Sequence, residues 1–172
     1  TSLVKDAGGE VRRGIAADDT GKTTLPDVYA AGDCAESFDI SAGVNRVLAL
    51  LPNAYMQGNT AGINMAGGKA SFDQAIPMNA IGFMGLHIIT AGTYDGETYV
   101  HRDGESYKIL FYKDDVLKGY ILIGDVARAG IYTALIRNRT PLSSIDFKLI
   151  CEKPQLMAFT ARTRRDLLSK QQ

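Results

Sequence analysis

The chain has 172 residues, 45% of them hydrophobic, which is enough for one domain of ordinary size or two small ones. Lys plus Arg and Asp plus Glu number 19 each, so the formal net charge is zero and no basic field draws the chain to nucleic acid or to an anionic membrane. The two cysteines, Cys34 and Cys151, form no C-x-x-C, which weighs against a disulfide-stapled secreted scaffold and a zinc module, and no apolar run reaches the roughly 18 residues of a membrane span.

The longest apolar stretch, Met78 to Gly92, is broken by Asn79, Gly82, Gly85 and His87. No signal peptide is visible, and a reducing cytoplasm is the expected location. The chain opens on Thr1 inside what reads as an unfinished unit, so a carboxyl-terminal piece of a larger protein is expected.

Residues 1–12 read as a helix end or loop, with a turn at Gly8-Gly9. Val11 to Ala17 reads as a strand, and Asp18-Asp19-Thr20-Gly21 as a turn cluster. Gly21-Lys22-Thr23 is not a phosphate loop: position 16 is Ala16 where that loop needs glycine, and the segment leads into a strand, not a helix. Pro26-Asp27 is a turn into Val28-Tyr29-Ala30-Ala31, a short run apolar or small on both faces, as in a central parallel strand. Gly32 then allows positive φ or close approach, and Asp33 puts a carboxylate at the strand's carboxyl end, where open α/β sheets bind ligands. The alternative for Asp33 is a cap on the next turn or helix.

Ala35 to Leu51 is a connecting segment whose apolar end, Val47 to Leu51, forms a short strand. Pro52-Asn53-Ala54 opens a helix over Ala54–Ala66, with Asn53 as its cap and Ala54, Gly58, Ala61, Gly62 and Met65 as a small-residue stripe against a sheet. Gly67-Gly68 ends it, and a linker runs to Pro77.

The segment Thr23 to Asp33, with Val28-Tyr29-Ala30-Ala31-Gly32-Asp33 at its end, resembles the second flavin fingerprint of the FAD-dependent pyridine nucleotide-disulfide oxidoreductases. The resemblance runs from near residue 1 to about Gly68 and includes Arg13–Asp18 and the helix pattern Ala54, Gln57, Gly58, Ala61. It implies that Gly32 and Asp33 meet the ribityl chain of FAD, Asp33 through a hydrogen bond to a hydroxyl. An ionised carboxylate is an acceptor-only group suited to that donor. It also implies that Asn53 and Ala54, at a helix start with free N–H groups and partial positive charge, face the flavin pyrimidine edge.

From Asn79 the pattern changes to strands: Ala80–Gly92, Thr98–Arg102, Tyr107–Tyr112 and Val116–Ile123, then a helix over Ala127–Arg137 capped by Asp125 and a second over Leu142–Leu149. The order is an antiparallel meander with helices on one face. Gly119 to Asp125 followed by Ala129-Gly130-Ile131-Tyr132 resembles the carboxyl-terminal interface domain of the same reductases, most of all NADH oxidases, NADH:rubredoxin reductases and nitrite reductase large subunits. That resemblance implies a homodimer. Beyond residue 150, Arg162, Arg164, Arg165 and Lys170 read as a solvated tail.

Some chemistry is missing. A disulfide reductase of the glutathione-reductase type carries a His–Glu acid–base pair to activate a thiolate. Only His87 and His101 are present, and both read as structural or exposed; Cys34 has no resolving partner and reads as filler. No G-x-G-x-x-G loop is present. The family carries two, which implies upstream FAD and NAD domains on the same chain and NAD(P)H as co-substrate.

The expected fold is α+β: the carboxyl-terminal part of an FAD-binding α/β domain over residues 1–76, an antiparallel sheet with helices on one face over 77–150, and a tail over 151–172. The expected function is to complete a flavoprotein that moves electrons from NAD(P)H through FAD to an acceptor, with an electron-acceptor protein among the candidate partners. The region on its own is expected to be inactive, with no catalytic or metal-ligating residue. The competing readings are a dimerisation module that binds no cofactor and an independent small binding domain.

Overall fold

In the computed structural model, which describes residues 1–169, the chain starts with a short helix, α1 (Ser2–Asp6), stopped by Gly8 at φ 85°. Contacts divide the chain into two units, the first Thr1–Pro77 and the second beginning at Met78.

In the first unit, the segments expected to be strands form isolated bridges. Val11 bridges to Ile15, Ile15 to Ala35 and Ala17 to Thr23. Val28–Ala31 is extended, but its ladder is limited to a Lys22–Tyr29 bridge flanked by an Ala30 N–H donated to the Gly21 carbonyl and a Thr23 N–H donated to the Val28 carbonyl, each at 2.9 Å. A central parallel strand needs a partner along each edge, and among the described residues this stretch has such a partner only at residues 21–23. Ile15, Ala30 and Ala35 form a small core, flanked by Val4, Val11 and Ala17.

After a single 3₁₀ turn, Gly32–Cys34, comes an antiparallel hairpin, β1 (Glu36–Asp39) and β2 (Val44–Val47), where the sequence pattern implies a connection ending in a strand over Val47–Leu51. The hairpin is closed by a fully buried Asp39. Its Oδ1 accepts the Ser41 N–H (2.8 Å), the Ser41 hydroxyl (2.6 Å) and the Ala42 N–H (3.2 Å), and its Oδ2 accepts Arg46 Nε at 2.8 Å and Nη2.

Helix α2 spans Leu51–Met65, beginning at Leu51 and not at Ala54. Pro52 fits the first turn, where its missing N–H costs nothing. Asn53 is therefore inside the helix and is not its cap; no side chain caps this end. The buried stripe also differs from the expected one. Gly58, Gly62 and Met65 are exposed, whereas Asn53, Gln57, Thr60 and Ala61 are buried. Polar side chains occupy the inner face, and backbone groups of the surrounding loops satisfy part of their hydrogen-bonding capacity, while Asn53 Oδ1 and Gln57 Nε2 are buried with no partner among the described residues. Asn53 Nδ2 donates to the Ile76 carbonyl (3.1 Å), Gln57 Oε1 accepts the Gly32 N–H, and half-buried Asn64 bonds the Thr20 and Ala70 carbonyls and the Ala70 N–H.

The second unit is a five-stranded antiparallel sheet in the order β3-β4-β7-β6-β5. Its strands are β3 (Met78–Phe83), β4 (Leu86–Gly92), β5 (Glu97–Asp103), β6 (Ser106–Lys113) and β7 (Val116–Ile123). The expected single strand over Ala80–Gly92 is two, reversed at Met84-Gly85, both with positive φ as a two-residue hairpin turn requires. Apolar residues on both sides of Gly85 hide that turn in the sequence.

One sheet face is covered by α3 (Ala129–Arg137) and α4 (Phe147–Glu152). The rings of Tyr120 and Tyr132 meet at 5.5 Å, and Tyr112 packs edge-on to Phe147. Leu110, Leu122, Leu135 and Ile150 complete this core. Two side chains tie down the end of α4 with three bonds: Tyr132 Oη donates to the Ile150 carbonyl (3.0 Å), and Lys108 Nζ to those of Cys151 (2.9 Å) and Glu152 (3.1 Å). Burial pushes the Lys108 ammonium below its usual pKa, opposed by the charge of Asp125.

Asp125 does not cap α3 directly. Its Oδ1 takes the Ala127 N–H, and Arg128 at φ 62° leads into the helix. The second helix expected over Leu142–Leu149 is a 3₁₀ turn at Leu142–Ser144 followed by α4, whose start is capped by Asp146 at the Leu149 N–H.

Residues 151–158, which the sequence assigns to the start of a tail, are packed: Cys151, Pro154 and Ala158 are buried. A further helix, α5 (Ala161–Ser169), carries Arg162, Arg164 and Arg165, while Lys170 lies outside the described residues. No helix among the described residues is long and apolar enough to cross a membrane.

Candidate functional site

Two of the segments singled out in the sequence meet in space. Ala31 is extended, and the chain then turns at Gly32 (φ 79°), a left-handed conformation natural to glycine. The turn lies against the first turn of α2: a Cβ placed on Gly32 would sit 3.4 Å from Ala54 Cβ. Gly32 and Ala54 are thus neighbours although 22 positions apart. Asp33, next in the 3₁₀ turn, is exposed, and its carboxylate has no hydrogen-bond or ion-pair partner among the described residues.

The helix end beside it is also unsatisfied. The Ala54 N–H donates to the Leu50 carbonyl at 2.9 Å, closing the first helical bond. The N–H groups of Leu51 and Asn53 precede that bond, and no side chain caps them. An acceptor-only carboxylate therefore belongs to the turn that packs on the positive end of a 15-residue helix, where two backbone donors have no partner among the described residues. Such a set is chemically suited to a ligand that offers hydroxyl donors on one part and carbonyl or ring-nitrogen acceptors on another.

The predicted residues contribute unequally. Gly32, Asp33 and Ala54 come together at this turn. Asn53 presents only its backbone N–H, because its side chain is fully buried and committed to Ile76.

Three further residues also shape the site: Gln57, which belongs to the helix pattern Ala54, Gln57, Gly58, Ala61 but was given no contact of its own, and Glu36 and Asp39, which have no motif behind them. Gln57 accepts the Gly32 N–H at 2.7 Å. Glu36, 6% exposed, gathers the preceding loop: its Oε1 accepts the N–H groups of Arg13 (3.0 Å) and Gly14 (3.3 Å), and its Oε2 accepts Arg12 Nη1 (3.3 Å). Asp39 closes the hairpin that follows. Glu36 was visible in the sequence only as one acid in a connecting segment. The polar stripe Asn53, Gln57, Thr60, Asn64 at helical spacing was the available signal for the inner face of α2.

A cavity of about 220 Å³ lies behind the turn, lined among others by Ala17, Gly21, Ser37, Gln57 and Thr60. Gln57 Nε2 and Ser37 Oγ are buried with no partner among the described residues.

Neither thiol has the environment of a redox centre. Cys34 is exposed with its Sγ 3.4 Å from the Ala31 carbonyl, and burial pushes the Cys151 thiol up to about 11, so it stays protonated. His87 and His101 are both exposed. Among the described residues no group of three His, Cys, Asp or Glu is placed to hold a metal ion.

The family model described as pyridine nucleotide-disulphide oxidoreductase matches residues 1–58, and that of the rubredoxin NAD+ reductase C-terminal domain matches residues 77–140. The chain is 31% identical over 153 residues to the epsilon subunit of an NADH-dependent phenylglyoxylate dehydrogenase from Aromatoleum evansii, covering 84% of this chain and 36% of that protein. It is 28% identical over 129 residues to an NADH-rubredoxin oxidoreductase from Clostridium acetobutylicum, covering 73% of this chain and 32% of that protein. The chain thus spans about a third of the length of these relatives. In fold it is similar to an FAD-dependent pyridine nucleotide-disulphide oxidoreductase from Desulfovibrio vulgaris, with a TM-score of 0.76, 21% identity, and coverage of 98% of this chain and 46% of that one.

Proposed function

The chain belongs to the pyridine nucleotide-disulphide oxidoreductase family, and from that premise we propose that it is the carboxyl-terminal region of a flavoprotein that moves electrons from NAD(P)H through FAD to an acceptor. The observation that carries this reading is the packing of the Gly32–Cys34 turn on the uncapped start of α2. The residues fit the flavin. Asp33 accepts from a ribityl hydroxyl, and the N–H groups of Asn53 and Leu51 donate toward the acceptor atoms of the pyrimidine edge. Gly32 supports this by bringing the turn within van der Waals reach of Ala54.

FAD, when bound, supplies the hydride and electron chemistry. This chain's own residues bind and orient it and lend the partial positive charge of a helix end. The dinucleotide loops for FAD and NAD(P)H belong to an upstream region of the same protein, and the acceptor is a small protein or a small molecule. In the full-length protein, Asp33→Ala is expected to weaken FAD binding by about tenfold to a hundredfold, the loss of a hydrogen bond to a charged group. Flavin occupancy unchanged in that variant would remove Asp33 from the site.

The second unit supplies a subunit interface in this proposal. The sheet face turned away from α3 and α4 is apolar and open among the described residues, with Ile81, Phe83 and Val100 each more than half exposed and Ile109, Ile121 and Ile123 between them. Five strands about 4.8 Å apart and about seven residues long present roughly 600 Å² per copy. Two copies would bury about 1,200 Å², at the lower bound of a specific interface. Light scattering is expected to give the mass of a homodimer, and Phe83→Glu that of a monomer; a monomeric unsubstituted protein would sink the interface.

A further inference from the structure

We propose that Gln57 is the positioning residue of the flavin site: it sets where the Asp33 carboxylate stands by holding the turn that carries it. The inference rests on the reading of Asp33 as a flavin contact, but its geometry stands apart from that reading. The turn is only three residues long, Gly32–Cys34, and begins at a left-handed glycine. Few bonds fix it. Ala35 N–H closes onto the Gly32 carbonyl at 3.0 Å, and the Cys34 thiol rests on the Ala31 carbonyl at 3.4 Å. Both are local and move with the turn. Two bonds fasten it to other segments: at its end Ile15 N–H donates to the Cys34 carbonyl at 2.7 Å, and at its start Gly32 N–H donates to Gln57 Oε1 at 2.7 Å and across 25 positions, which ties the start of the turn to α2.

The Gln57 amide is kept for that bond. The side chain is 8% exposed, on the inner face of α2, one helical turn after Asn53. A backbone N–H can only donate, so Oε1 must face Gly32 and Nε2 must face away. Nε2 is buried and has no partner among the described residues. A half-satisfied buried amide calls for an explanation, and an apolar residue of the same length would pack there without leaving a stranded donor. The gain that offsets that cost is the acceptor for Gly32. On its other side the turn meets Ala54, so Gln57 and Ala54, on successive turns of α2, fix both its distance and its direction. Asp33 then stands at a set height beside the free N–H groups of the same helix. The acceptor and the donors are registered to one another through a single rigid element.

Two variants separate positioning from bulk stability. Gln57→Met keeps length and burial but has no strong acceptor for the N–H; Gln57→Glu keeps the acceptor. In the 172-residue chain, Gln57→Met is expected to speed amide hydrogen exchange at Gly32 about tenfold. Exchange at Ala30, whose N–H goes to Gly21, should be unchanged. Gln57→Glu is expected to keep Gly32 protected. In the full-length protein, FAD binding followed by flavin fluorescence is expected to weaken about tenfold in Gln57→Met. The double variant Asp33→Ala/Gln57→Met should bind no more weakly than Asp33→Ala alone, because a positioning residue has nothing left to position.

Unchanged Gly32 exchange in Gln57→Met, or equally fast exchange in Gln57→Glu, overturns the inference. Additive losses of FAD affinity overturn it as well. If Asp33→Ala alone leaves FAD affinity intact, the flavin reading fails. Fast Gly32 exchange in Gln57→Met would then still establish Gln57 as the anchor of the turn.

Discussion

Replacing Gly119 with alanine is expected to unfold the second unit at temperatures where the unsubstituted chain is native. A Cβ at that position would lie 2.1 Å from the Thr93 carbonyl oxygen and 2.9 Å from that of Ala91. Both obstacles are backbone, so no side chain can swing aside. The closeness has a cause. Gly119 faces Gly92 across the β4–β7 ladder, Gly92 has φ 76°, and the Thr93 N–H reaches back to the Lys118 carbonyl at 2.9 Å. On the other side, the register of β6 against β7 slips between Phe111 and Tyr112, leaving Lys118 as an extra residue. Kink and bulge meet at one point, and β4 and β7 approach there as only glycine permits.

Relief requires parting two strands of the sheet, at a cost of about 4 kcal/mol or more, a large share of the roughly 5–15 kcal/mol that holds a domain together. Thermal melting followed by circular dichroism tests it. Gly130→Ala is the control: it lies in α3 with nothing within 4 Å of its Cβ, and it should be neutral or slightly stabilising. A Gly119→Ala melt that overlays the unsubstituted one would refute the close-approach account.

Asp39→Ala is expected to cost the first unit about 3 kcal/mol, through loss of a buried charged acceptor serving Ser41, Ala42 and Arg46. The figure stays below that of a fully enclosed ion pair because the Arg46 side chain is 38% exposed and can turn to water. Asp39→Asn keeps one acceptor oxygen and loses the charge facing Arg46, so it should fall between. Amide exchange over residues 36–47 reads the effect directly; protection of the β1–β2 hairpin equal to that of the unsubstituted chain would contradict it. The hairpin follows the Gly32–Cys34 turn after a single residue, Ala35, so loosening it should also raise exchange at Ala35, whose N–H bonds the Gly32 carbonyl.

The family, the α+β class and the strands β5 to β7 were legible because they depend on short-range pattern: the Val28–Asp33 run, the turn signals Asp103-Gly104 and Lys113-Asp114-Asp115, and the apolar run Val116–Ile123. The Met84-Gly85 reversal was hidden because β3 and β4 are both apolar, and a continuous run does not show where it folds back. The inner face of α2 was misjudged for a different reason. Small residues on a helix normally mark its packed side, yet here amide side chains take that side, each bonded to loop backbone far along the chain. Glu36 and Asp39 are the same case: whether a carboxylate is buried depends on which N–H groups the fold brings to it, and in Glu36 those lie 22 and 23 positions away. The packing of Cys151, Pro154 and Ala158 escaped notice because the charge of the final stretch dominates its composition.

The strand order has a kinetic meaning. β3–β4, β5–β6 and β6–β7 are each hairpins with two-residue reversals, reachable by local zippering on the timescale of microseconds. The β4–β7 ladder joins Ile88–Gly92 to Gly119–Ile123, the one pairing in the sheet that closes a long loop. The sheet is therefore a ribbon and a meander sewn along one seam, and Gly92 and Gly119 lie on that seam. The tightest fit in the unit is thus made where the chain has most entropy to lose, so the two glycines guard the slow step of folding as well as its end state.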